Sequence, residues 1–436
     1  MPMSVKKTRA YIISQGKEYW GQQSSLIETL PIPQKSIAEY RFKDVCLPAW
    51  AKGLGIGDQN IIPVDTGYIV QDLEKDEWQC VDWFSYAFHL LNGLYERQIE
   101  DENGPIHSYS MHIKDYPVAL WEYAWVNRIF MFLRKWAAQE AAAEETTLFG
   151  PLPRGKIVLT HDVDALRKTL AIRLKQTAFH LFNALRALAR GKFQKFGDKV
   201  LEAIRFFFTT PSYLEAFNWM LDQEENAGKR SVFLFYGGQN NRFKTWLFDP
   251  NYTLKAEKYR LLRERIKNNG WVCGLHQSFE AWQDTGIMQN QKQRVESAME
   301  QPITHCRQHW LKFSWKDTWR AQESAGFEVD YTLGFNDRFG FRNSSALAFQ
   351  PWDTVENKPI NLQAIPMILM DSHLYDYADL TDKERHDTME RLLNEVLFVG
   401  GTASIIWHPH SCARDYNMGD GYTTLLNLLS ITSDQG

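Results

Sequence analysis

From Lys156 onward, short apolar runs alternate with helical segments, and this alternation limits the fold more than any other feature of the chain. Lys156-Ile157-Val158-Leu159-Thr160-His161-Asp162-Val163-Asp164 reads as a strand running into a polar cluster. The run Val232-Phe233-Leu234-Phe235-Tyr236 comes next, then 271–276, a segment carrying Arg307-Gln308-His309, then 327–332, and last 403–408. Helices are expected over 255–268, 290–300, 318–325 and 382–399. Strands and helices alternating at this spacing predict parallel βαβ units, hence an α/β barrel or a doubly wound sheet. Asp162, Asp164, His276, Asp330 and His408 all fall at strand ends, and in a barrel those ends converge on one mouth.

Asp162 and Asp164 are two residues apart, so on an extended chain both point to one side. Two carboxylates held that close need a cation or a shared proton. The competing reading is a helix cap, because Ala165-Leu166-Arg167-Lys168 is able to begin a helix. It weakens as further strand-end histidines accumulate along the chain.

Residues 1–150 carry no comparable grouping of His, Asp, Cys or Ser. Ala10-Tyr11-Ile12-Ile13 and Ile61-Ile62-Pro63-Val64 read as strands, and 83–94 and 118–138 as helices. Phe149-Gly150-Pro151-Leu152-Pro153-Arg154-Gly155 is dense in turn-formers and places a domain boundary. The chain therefore divides into a mixed α/β accessory domain, 1–150, and a larger domain, 151–436. The tract Leu166–Phe208, expected to break near Gly191 and Gly197, is an insertion after the first strand. It is strongly basic: Arg167, Lys168, Arg173, Lys175, Arg186, Arg190, Lys192, Lys195, Lys199 and Arg205 face only Asp198 and Glu202 as acids. A solvated helix pair is the favoured reading, with peripheral contact to an anionic membrane through 166–210 as the alternative.

A formal net charge of −4 gives no reason to expect nucleic acid. The five cysteines are scattered and odd in number, which argues against a disulfide framework or a thiolate zinc site. With no signal-like or membrane-spanning apolar run, a cytoplasmic protein is expected.

With these residues assembled, the chain resembles the polysaccharide deacetylase family, the NodB-homology carbohydrate esterases. It is most similar to a bacterial branch whose first motif reads Thr-His-Asp-Val-Asp and whose barrel follows an N-terminal domain. The resemblance spans roughly 155–415 and implies a distorted (β/α) barrel. It implies that Asp162 is the catalytic base and Asp164 a metal ligand, with His276 in Gly274-Leu275-His276-Gln277-Ser278 a second ligand. Arg307-Gln308-His309-Trp310 resembles the arginine motif, and Ile405-Ile406-Trp407-His408 the final one. The family's second metal histidine falls four residues after the first, where this chain has Glu280. Glu280, His309 or His161 would have to complete the site, with His309 preferred.

The chemistry these residues imply is removal of an acyl group, an N-acetyl group above all, from a sugar or glycan precursor. A divalent metal, zinc being the expected one, suits a site of one carboxylate and two imidazoles. Arg307 would hold Asp162 charged, and His408 would act as general acid with Asp330 as a candidate to orient it. Arg342 and His410 are candidate substrate contacts. Two alternatives stand beside this reading: a glycan-binding or assembly protein on a degraded deacetylase scaffold, and an amidohydrolase of another small C–N substrate.

Overall fold

The computed structural model describes residues 5–433 apart from 36–37 and 240–247. Its main sheet has eight strands: β1 (Lys156–Val163), β2 (Val232–Tyr236), β3 (Val272–Gln277), β4 (His305–Gln308), β5 (Val329–Asp330), β6 (Gln363–Ala364), β7 (Met367–Met370) and β8 (Thr402–Ile406). The order across the sheet is β6-β5-β4-β3-β2-β1-β8-β7. The pairs β1/β2, β2/β3, β3/β4 and β5/β6 are parallel. The two edge strands, β6 and β7, are separated by Ile365 and Pro366 alone. In a flat sheet of eight strands they would lie about 34 Å apart at the usual strand spacing. Three residues of chain reach only about 10 Å, so the sheet must curl. The α/β expectation holds in this curled form.

β2 shows why these runs are strands. All five of its residues are buried, the unbroken apolar pattern of a parallel strand covered on both faces. Gly274 in β3 has a different task. A Cβ there would fall 2.4 Å from the Leu234 side chain and 2.8 Å from the His305 carbonyl, so only glycine lets β3 lie this close to its neighbours. It sits two residues before His276 and on the same face, which ties the Gly-Leu-His pattern to packing.

By contacts the chain forms two compact units. One comprises Met1–Val158, Trp310–Leu369 and Thr388–Ile405. Its described residues include an antiparallel hairpin, Phe42–Cys46 with Ile61–Asp65, and an aromatic core around Trp20, Trp78, Phe130, Phe132 and Trp136. Buried ion pairs run through it, Arg128 with Glu395 at 2.6 Å and Arg342 with Glu96 at 2.7 Å. The expected strand 10–13 is instead part of a helix, Val5–Gln15. Four apolar residues in a row do not distinguish strand from buried helix, and here Tyr11, Ile12 and Ile13 pack inward on helical spacing. The helix expected over 83–94 stops at Leu91, where Gly93 turns left-handed at φ +57°.

The other unit comprises Leu159–His309, Met370–Asp387 and Ile406–Gly436. The basic tract forms a helical hairpin, α1 (Leu170–Ala189) and α2 (Phe193–Phe208), followed by α3 (Tyr213–Asn226); α4 (Gly419–Ser433) ends the described chain. Gly191 makes the turn at φ +70°, whereas Gly197 lies inside α2 and breaks nothing. All five cysteines are free.

Candidate active site

Alternation along β1 sorts its polar residues onto two faces. Thr160 and Asp162 share one face, where Arg307 from β4 reaches both: Nη1 donates to Asp162 Oδ1 at 2.7 Å and Nη2 to Thr160 Oγ1 at 2.7 Å. All three are buried. Burial pushes the Asp162 carboxyl upward, but Arg307, His276 and His408 outweigh it and hold the pKa below the usual value. His161 points the other way, into the packing between β1, α3 and α4. Its Nδ1 meets the Trp407 carbonyl at 2.6 Å and its Nε2 meets Glu224 Oε1 at 2.7 Å. With an acceptor at each nitrogen, neither has a lone pair to offer a metal. His161 is thus excluded as a ligand.

On the face that Asp162 shares, a second group has a different character. Asp164 Oδ1 lies 3.2 Å from His276 Nε2 and 3.6 Å from His309 Nε2. These three residues offer ligand atoms that all lie within 4.8 Å of one another. Donors bonded tetrahedrally to zinc at 2.0–2.1 Å would stand about 3.3 Å apart, close to the two shortest separations here. Both imidazoles are already oriented from behind. His276 Nδ1 donates to the Arg307 carbonyl at 3.3 Å, and His309 Nδ1 donates to Asp249 Oδ1 at 3.0 Å, which leaves each Nε2 facing Asp164. Asp164 Oδ1 is buried and accepts no hydrogen bond. An orphaned carboxylate oxygen between two imidazole lone pairs is what a divalent cation would satisfy, so the residues present fit one. Burial raises the Asp164 pKa, but without an ion protonated imidazole at this edge, His276 first, outweighs burial and holds the carboxyl well below the usual carboxylate range. Glu280 is exposed and outside this group. His309, one residue past the end of β4, and not Glu280, is the third member of the group.

His408 follows β8 and turns its Nε2 to 3.6 Å from Asp164 Oδ2. Its Nδ1 donates to Asp371 Oδ1 at 2.8 Å, its backbone N–H donates to Asp371 Oδ2 at 2.9 Å, and Ser411 Oγ also donates to Oδ2 at 2.7 Å. Burial would lower the imidazole, but Asp371 first, then Asp164 and Asp162, raise it to about 10. Asp371 shows the converse: burial raises it, His408 and its other donors prevail, and it sits at about 2.

Asp371 therefore occupies the orienting position for which Asp330 was the candidate. Asp330 is buried at the end of β5 and accepts from Trp319 Nε1, Gln322 Nε2 and the Thr332 backbone at 2.9, 2.9 and 3.1 Å. Burial raises its pKa, and its partners are those of a structural acid. Arg342 is similarly committed. Its donors go to Glu96, Ser108 Oγ and the carbonyls of Gly334 and His107, which accounts for the whole guanidinium. His410 packs against the rings of His408, Tyr213 and Tyr416, and burial followed by His408 lowers it to about 4, so it is neutral.

The sequence reading missed Asp249, Asp371 and Glu224. Asp371 directly follows the apolar strand Met367–Met370, the same strand-end setting as Asp162, and close by His373 Nδ1 accepts the Met370 N–H. Asp249 sits outside any strand, and nothing local marks it. Asp249→Ala should weaken metal binding about 10- to 100-fold while leaving the fold intact, measured by competition with a chromogenic chelator.

The arrangement defines a class: an α/β protein with a candidate mononuclear metal site at strand C-termini, flanked by an arginine-bound carboxylate and a carboxylate-bound histidine. No family model matches the chain, and no curated protein does. Among solved structures, a putative polysaccharide deacetylase from Mycobacterium smegmatis is 15% identical over 64% of this chain and 85% of its own, at a TM-score of 0.38. A CE4 family pseudoenzyme from Bacillus anthracis is 10% identical over 65% of this chain and 62% of its own, at 0.29. A mutant of that pseudoenzyme with restored enzymatic activity is 10% identical over 65% and 64%, at 0.28. Overlaps this weak leave the functional argument to the side chains.

Proposed function

We propose that this chain is a metal-dependent hydrolase of the polysaccharide deacetylase type, removing an N-acyl group, acetyl above all, from a sugar or glycan precursor. The observation that carries this reading is the orphaned Asp164 Oδ1 between His276 Nε2 and His309 Nε2, with Asp162–Arg307 and His408–Asp371 on either side. Asp164, His276 and His309 would hold the ion. A divalent metal bound there would supply an acidified water and polarise the amide carbonyl.

The remaining steps belong to side chains. Asp162 has Oδ1 engaged by Arg307, so Oδ2 is the oxygen that takes the proton from the attacking water. The Arg307 charge keeps Asp162 ionised for that task. His408, protonated through its bond to Asp371, gives its Nε2 proton to the amide nitrogen as the C–N bond breaks, since an amide anion is a poor leaving group. The amine and the carboxylic acid are the products. The division at residue 150 is kept as part of this proposal, with 151–436 supplying the chemistry.

The test is acetate release from N-acetylglucosamine and its oligomers by zinc-loaded protein. Glycan binding without any released acyl group would overturn the reading in favour of a binding protein. A second result should follow from His408. A general acid works only while protonated, so activity should fall as pH rises through its pKa, about 10 in the metal-free protein. Asp371→Asn removes the strongest raising influence and should move the alkaline limb of the kcat profile down by at least one pH unit. The same pair shapes stability. The elevated His408 contributes fully below about pH 6.5 and loses its contribution as pH rises through 10, whereas the depressed Asp371 contributes above about pH 4 and loses it as pH falls through 2.

A further inference from the structure

Half of the large exposed hydrophobic side chains among the described residues lie on one element, the α1–α2 hairpin. On α1, Leu170, Leu174, Leu181, Leu185 and Leu188 recur at three-, four- and seven-residue steps and form a single stripe. On α2, Leu201, Ile204 and Phe208 do the same. The other side of each helix is accounted for. Arg186 of α1 and Lys195 and Lys199 of α2 line a cavity of about 570 Å³ against 375–380. At about 100° per residue, those positions lie roughly opposite the stripes on both helices, so the two stripes face away from the rest of this unit. The hairpin base is pinned: Lys168 Nζ is 2.6 Å from Asp415 Oδ2, and Arg173 donates to the Thr209 carbonyl at 2.8 Å.

An exposed apolar surface of this extent marks a contact site, and its charge says which kind. The tract 166–210 carries ten Lys and Arg against Asp198 and Glu202, in a chain whose net charge is −4. At the tip, Leu188, Arg190, Lys192 and Phe193 are all exposed around Gly191. Leu and Phe on one face, with exposed Arg190 at the tip and Arg205 beside the α2 stripe, is the pattern of a helix lying in the headgroup region of a bilayer. A second copy is a poor occupant, because an isologous contact would set this cationic surface against itself. No helix among the described residues is long and apolar enough to cross a membrane, so the contact is peripheral.

We propose that the α1–α2 hairpin docks on an anionic lipid bilayer, inserting its Leu and Phe stripes while Arg190 at its tip and Arg205 beside the α2 stripe meet the headgroups. The test is co-sedimentation of the full chain with vesicles of phosphatidylcholine alone and of phosphatidylcholine mixed with phosphatidylglycerol. The expected result is pelleting with the mixed vesicles and little with the neutral ones, falling as salt is raised. Leu181→Glu/Leu185→Glu and, separately, Arg190→Glu/Arg205→Glu should each lower the bound fraction about tenfold or more, with bound metal unchanged. The proposal is overturned by absence of pelleting with the mixed vesicles, or by equal pelleting of wild type and both variants. It is also overturned if sedimentation velocity shows a dimer of the wild type that the leucine variant abolishes, which would give the stripes to a second copy.

Discussion

Asp162→Asn should cut turnover by about two to four orders of magnitude, the range expected when a positioned general base is lost. The substitution keeps an oxygen for Arg307 Nη1, now at 2.7 Å from Asp162 Oδ1, and removes the basic Oδ2. The three candidate ligands are untouched, so bound metal should stay at the wild-type level. Arg307 is wholly buried and would lose its counter-charge, which makes some loss of stability a second expected effect. Steady-state kinetics with metal content measured on the same sample checks both. A variant that retains metal and full activity would remove Asp162 from the proposed mechanism.

Glu224→Ala should be the most damaging substitution for stability, by about 3–5 kcal/mol, the cost of stranding one partner of a buried ion pair. Glu224 is fully buried on α3 and gathers four donors: His161 Nε2, Tyr422 Oη, Ser231 Oγ and Trp271 Nε1, at 2.6–2.8 Å. Burial pushes its carboxyl up, but His161 and the hydrogen bonds hold it below the usual value. Removal takes the acceptor from His161 Nε2, directly behind Asp162 on β1, and from Tyr422, Ser231 and Trp271. Filling the space with His161→Phe/Glu224→Leu should recover much of the loss, because paired burial of charge is replaced by apolar packing. Denaturant midpoints of the two variants decide the matter; equal stability of Glu224→Ala and wild type would contradict it.

How far the sequence could be read depended on where each residue sits. Asp162, Asp164, His276, His309, Arg307 and His408 lie at or just past strand C-termini, where a parallel sheet gathers side chains, and the structure brings them together around Asp164. Residues whose partners are distant in sequence were harder. His161 looks like its neighbours Asp162 and Asp164 in the motif, and only the period-two alternation of β1, together with a glutamate 63 residues away, turns it into a structural side chain. Arg342 reads as a candidate substrate contact until its pairing with Glu96, 246 residues away, is known. Asp249, which orients His309, lies in an irregular stretch with no periodicity to mark it. The short strands β5 and β6, two residues each, were invisible or overextended because neighbouring strands and not local composition define them.

The central claim is that Asp164, His276 and His309 form a metal site, and bound metal is its most direct test. Purified protein, reloaded with zinc at neutral pH and dialysed, should retain close to one equivalent by elemental analysis, and Asp164→Ala and His276→Ala should each lose it. Absence of metal from correctly folded wild type, or retention by both variants, would contradict the account.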